Sequence, residues 1–158
     1  STATNAVYMK MEVGKGLYRI YRTDANYDTR RIYVQTSHIG KIAVFYDEDR
    51  FFYDNVKTGD VFMFNGTEGG WRVINPPGRY RLIGVDKDKN IYIAKVNTDD
   101  KVLSVSRGQL GVGFKTIDTY DTPKDLQDVT VASVLKDEQS GSNSSGSDSS
   151  SDSSSKKK

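Results

Sequence analysis

Arg19 and Tyr21 in LYRIYR, and Arg31 and Tyr33 in RRIYV, are the first residues in this chain whose types and spacing suit a chemical task. A guanidinium pairs with phosphate or carboxylate, and a phenol ring offers a flat surface for stacking. With Tyr18, Ile20, Ile32 and Val34 turned inward, strand alternation puts Arg19, Tyr21, Arg31 and Tyr33 on one outward face. Arg79, Tyr80 and Arg81 repeat the composition further along. This is the chemistry of holding an anionic or hydroxyl-rich ligand. The plain structural reading of the same residues is a solvated sheet face held by local cation–π contacts. Single-strand nucleic-acid barrels use the same ingredients, so the face alone does not choose between glycan and nucleic acid.

Residues for bond-making chemistry are sparse. Cysteine is absent, which excludes disulfides, thiolate metal sites and thiol nucleophiles. The single histidine, His38, stands between serine and isoleucine in QTSHIGK, an ordinary strand-end setting. Asp47, Glu48 and Asp49 cluster at a turn, where carboxylates stay solvated. Asp86 to Asn90, DKDKN, alternates carboxylates as a calcium loop does. It has Ile91 where such a loop needs glycine and Asn97 where it needs a bidentate glutamate. A hairpin turn is the better reading. VGKG and GVGF lack phosphate-loop spacing. The expectation is a protein that is not an enzyme, with no metal and no cofactor.

The elements that must position these residues read as strands. The chain has 158 residues, with 10 Tyr, 6 Phe and 1 Trp, and lacks long helical periodicity between about residue 7 and 118. Aromatic and β-branched side chains fit a pleated, half-buried surface. LYRIYR pairs with RRIYV, KIAVFYD with RFFYDNV, DVFMF with WRVI, RYRLIGV with NIYIAKV, and VLSVSR with GVGFKTI. This predicts an all-β domain over residues 7–139, a small antiparallel β-barrel or sandwich with a short C-terminal helix. The helix is placed over 123–138, with Thr122 as cap and Pro123 at the first helical position. Alternation at Val129, Val131, Ser133 and Leu135 also permits a strand there. Residues 140–158, Ser-rich and ending in Lys156, Lys157 and Lys158, have nothing to bury and are expected to be a disordered tail.

The hairpin GDVFMFNGTEGGWRVI, residues 59–74, carries the only tryptophan. Phe62 and Phe64 share a face on which Val73 and Trp71 can sit opposite them. Trp71 either fills the core or stands at a rim as a stacking platform for a sugar. Across residues 40–75, the Lys-x-Gly-Asp turn, the alternating strand and the return through Gly-Trp resemble the central hairpin of bacterial Src-homology-3-like cell-wall domains. Upstream, IAVFYDEDR departs from the LNVRSGPS-like strand of those families. The resemblance implies a secreted surface protein.

Formal net charge is +2, too small to argue for nucleic acid alone. Residues 1–120 carry 18 basic against 14 acidic residues, and residues 121–158 carry 5 against 7. No apolar run approaches the roughly 18 residues of a membrane span. Ser1 is not methionine, and STATNA has the small polar character of a segment that follows a cleaved export signal. The expectation is an extracellular or cell-surface binding module of a bacterial surface protein. Its partner would be a cell-envelope glycan, either peptidoglycan or an anionic polymer. The alternatives are a small barrel for single-stranded nucleic acid and a structural part of a phage or surface appendage.

Overall fold

Alternating aromatic and β-branched residues form eleven strands among the residues that the computed structural model describes: 7–15, 17–23, 26, 29–44, 50–65 and 70–143. Side chains are described there except at 8, 18, 29–37, 44, 51, 65, 70–71 and 141–143. The first sheet holds β1 (Val7–Gly14), β2 (Leu17–Thr23) and β3 (Thr29–Ser37). The second holds β4 (Ile39–Val44), β5 (Phe51–Asn55), β6 (Asp60–Asn65) and β7 (Gly70–Val73). The third holds β8 (Tyr80–Val85), β9 (Ile91–Val96), β10 (Lys101–Gln109) and β11 (Gly113–Asp125). Every strand pairs antiparallel with its sequence neighbour inside its sheet, so each sheet is an up-and-down meander. All five expected hairpins are present.

The turns explain themselves chemically. The Asn55 side chain accepts the backbone N–H groups of Lys57 and Thr58, and Gly59 takes φ 76° to close that turn. Asp86 does the same in DKDKN: Oδ1 accepts from the N–H groups of Asp88 and Asn90, and Oδ2 from Asn90 Nδ2 and Tyr92 Oη. The stretch is a turn. Burial raises the Asp86 pKa, but these four hydrogen bonds together outweigh it and hold the group below its ordinary value.

The second and third sheets stack because each turns an apolar face towards the other. Phe52, Val61 and Met63 meet Tyr80, Leu82, Ile91 and Ile93 of the third sheet in one core. On the opposite face of the second sheet, Tyr53 and Phe64 are buried, and the Tyr53 ring stacks on Phe62 at 5.1 Å. A second core lies between the far face of the third sheet and the C-terminal segment, where Val129 and Val134 cover Ile83, Tyr92, Ala94 and Val105. Each buried aliphatic or aromatic side chain contributes roughly 1.5–3 kcal/mol. The third sheet is thus covered on both faces, by the second sheet and by the C-terminal segment, so these elements form a stacked sandwich. Among the described residues no sheet closes into a barrel.

The C-terminal helix is present but starts later than the sequence suggests. Thr122 and Pro123 belong to β11, and α1 runs over Val131–Asn143. Among the described residues β11 pairs with β10 alone, and Pro123 lies in an irregular stretch of that pairing between Thr119 and Lys124, where a missing N–H is tolerated. The true start is Thr130: its Oγ1 accepts from Ser133 N–H, while Ser133 Oγ accepts from Thr130 N–H. That is a reciprocal capping box. The helix also continues past Gln139 into the segment expected to be tail. Residues 144–158, including the three terminal lysines, lie outside the described residues.

Candidate binding face

The first sheet sets the Arg/Tyr candidates by register. Ile20 pairs with Ile32 and Tyr21 with Arg31. On the other side, Met11 pairs with Arg19 and Met9 with Tyr21. Directly opposed residues of an antiparallel pair share a face. Ile20 is fully buried, so alternation turns Arg19 and Tyr21 away from the core, and both are half-buried. The expected inward and outward assignment of LYRIYR therefore holds for its described side chains. Arg19 Nε is shielded from solvent and has no hydrogen-bond partner among the described residues. The side chains of Arg31 and Tyr33 lie outside the described ones.

Arg79, Tyr80 and Arg81 stand elsewhere, between the second and third sheets. Tyr80 is buried in the core at 7% exposure. Arg79 donates to the carbonyls of Val56 at 2.6 Å and Lys57 at 3.0 Å. Arg81 Nε donates to Asp54 Oδ2 at 2.8 Å, and its Nη1 donates to Asp100 Oδ2 at 3.1 Å. Asp54 is fully buried; its Oδ2 also accepts from Leu82 N–H and its Oδ1 from Lys41 N–H. One carboxylate thus ties β4, β5 and β8 together. Gly40 makes room for it, because a Cβ there would overlap Asp54 Oδ1 and lie 2.7 Å from Arg81 Nη2. These residues join two sheets and do not converge with Arg19 and Tyr21.

Sequence reasoning missed Asp54, Gly40 and Asp100. A signal existed for Asp54: it shares the apolar face of β5 with Phe52, where an acid requires a partner. A third polar cluster, also missed, docks the helix. Arg107 forks onto Glu138 at 2.7 and 3.2 Å and lies over the Tyr92 ring at 5.8 Å.

No family model matches the chain, and no curated protein matches it. Solved structures do. One described as a nidogen/laminin complex matches with a TM-score of 0.60 at 16% identity, covering 78% of this chain and 47% of the other. A luciferin-regenerating enzyme matches with a TM-score of 0.49 at 12% identity, over 73% of this chain and 42% of its own. The first likeness shows the fold alone. The chain spans about half the length of the solved chains it matches.

The hairpin that carries Trp71 pairs as its sequence suggests, with Phe62 opposite Val73 and Phe64 opposite Trp71. Phe64 is buried, Val73 is 47% exposed, and the Trp71 side chain lies outside the described ones. His38 is exposed, in a left-handed conformation (φ 68°) between β3 and β4, and its carbonyl accepts from Val56 N–H. Among the described residues no three His, Asp or Glu side chains are grouped to hold a metal. No helix among them is long and apolar enough to cross a membrane.

Proposed function

We propose that this chain is a non-enzymatic binding module of a bacterial surface protein, holding an anionic cell-envelope polymer on the outer face of its first sheet. The carrying observation is the contrast between arginines. Arg79 through Nη, Arg81 through Nε and Nη, and Arg107 through Nη donate to protein acceptors. Arg19 Nε, in contrast, is shielded with no partner among the described residues, on a half-buried side chain two positions from Tyr21. A half-shielded guanidinium with a phenol ring on the same face suits a carboxylate or phosphate on a sugar polymer. Arg31 is in register with Tyr21, and Tyr33 lies two residues further along β3.

Binding to purified cell walls, measured by co-sedimentation across a salt series, tests the reading. Replacing Arg19 and Arg31 together by Gln should abolish most of the salt dependence, because exposed charge contacts are screened over about 8 Å at physiological ionic strength. A double variant that binds like the parent removes the proposal. Tighter binding to single-stranded DNA than to cell wall at matched salt would replace the glycan with nucleic acid.

A further inference from the structure

Strand β1 pairs with β2 on one side and with no strand on the other among the described residues. It belongs to a three-stranded sheet, whereas the other two sheets have four strands. Of the seven exposed large hydrophobic residues described, four lie on it: Val7 at 65%, Met9 at 44%, Met11 at 43% and Val13 at 39%. Exposed edges normally carry proline, repeated lysine or strong bulging to prevent pairing. This one bulges only after Glu12, and it alternates apolar residues with two opposite charges, Lys10 and Glu12.

That pattern is complementary to itself. Placed antiparallel to a second copy about an axis at Met11, the strand sets Lys10 against Glu12, Glu12 against Lys10, Met11 against Met11 and Met9 against Val13. Opposite charges and apolar pairs across neighbouring strands are each favourable. Centring on Lys10 instead would oppose two lysines, and centring on Met9 would leave Glu12 facing Ala6. We infer that two copies of this chain join edge to edge through β1, antiparallel about Met11, making one six-stranded sheet. The two-fold axis runs normal to that sheet, so both copies present the same face. Met9 and Met11 then form a continuous apolar strip, and the two Arg19–Tyr21 sets lie on one surface, roughly 14 Å apart across three strand spacings. A polymer bound there would engage both copies, although the pairing does not depend on any ligand.

Sedimentation equilibrium on the full chain, from micromolar to sub-millimolar concentration, tests this without ligand. The parent should dimerise. Met11→Lys, which opposes two ammonium groups at the axis, should weaken association by roughly tenfold or more while leaving the β-type circular dichroism intact. Lys10→Glu and Glu12→Lys should each be monomeric alone, since each opposes like charges. Mixed in equal amounts they should form a heterodimer, because the acidic β1 then meets the basic one. Lys10 also donates to Gly40 O at 2.6 Å; should Lys10→Glu lose its fold, the Met11→Lys result decides alone. A monomeric parent overturns the inference, as do variants that associate like the parent or folded single variants that fail to pair when mixed.

Discussion

Asp54 ties three strands of two sheets together. Its carboxylate is fully buried and holds Arg81 and two backbone N–H groups. Asp54→Ala would leave a guanidinium with one carboxylate fewer and two backbone donors, one of them buried, without their acceptor. The expected loss is about 3–5 kcal/mol by urea denaturation, the range for breaking one side of a buried ion pair. Gly40→Ala should cost about 1–3 kcal/mol, because the new methyl displaces the same carboxylate. A second residue-scale prediction concerns alkali. Burial pushes the phenols of Tyr53 and Tyr120 from 10.0 up to about 12. An acid whose folded pKa is raised stabilises the fold fully below its unfolded pKa. That contribution is lost as pH rises through the folded value. Stability should therefore fall between about pH 10 and 12, and the fall should be shallower in Tyr53→Phe.

At the scale of elements, α1 is a lid on the third sheet. It is started by the Thr130/Ser133 box, buried through Val134 and pinned by the Arg107–Glu138 fork. Val134→Ala should cost roughly 2 kcal/mol, since the side chain is almost wholly shielded. Glu138→Ala should instead raise amide exchange within α1 and leave β9 and β10 protected, because the fork is partly exposed and holds only the helix. Pro123 lies in an edge strand, so Pro123→Thr should change stability by less than about 0.5 kcal/mol. A large loss there would place Pro123 in a packed role that β11 does not show.

For the whole molecule, the second sheet, the third sheet and the helix form consecutive layers, with cores on both sides of the third sheet. The likeness to the solved nidogen/laminin chain concerns the fold alone. The Trp71 side chain separates stability from binding at this scale. A core position predicts a loss of about 3–5 kcal/mol for Trp71→Ala, whereas a stacking platform predicts an unchanged melt and weakened cell-wall binding. Thermal denaturation and co-sedimentation on the same preparation distinguish the two.

Strand alternation in LYRIYR, NIYIAKV and DVFMF, with turns at Lys57–Asp60 and Asp86–Asn90, was enough by itself to determine an antiparallel all-β chain and five of its eight described strand pairings; β1 and its pairing with β2 were not read. Those five depend on local periodicity and turn chemistry, which a linear sequence records. Arg19 and Tyr21 were assigned to one face for the same reason. Only the tertiary structure decided that the second and third sheets stack instead of closing, because stacking depends on which faces find cover. It also decided that Arg79 and Arg81 join sheets, since their partners Val56, Lys57, Asp54 and Asp100 lie 19 to 27 residues away along the chain. The start of α1 was misjudged because Pro123 suits both a helix's first turn and an irregular stretch of strand. The choice between them rests on β10, whose long-range pairing draws residues up to Asp125 into β11.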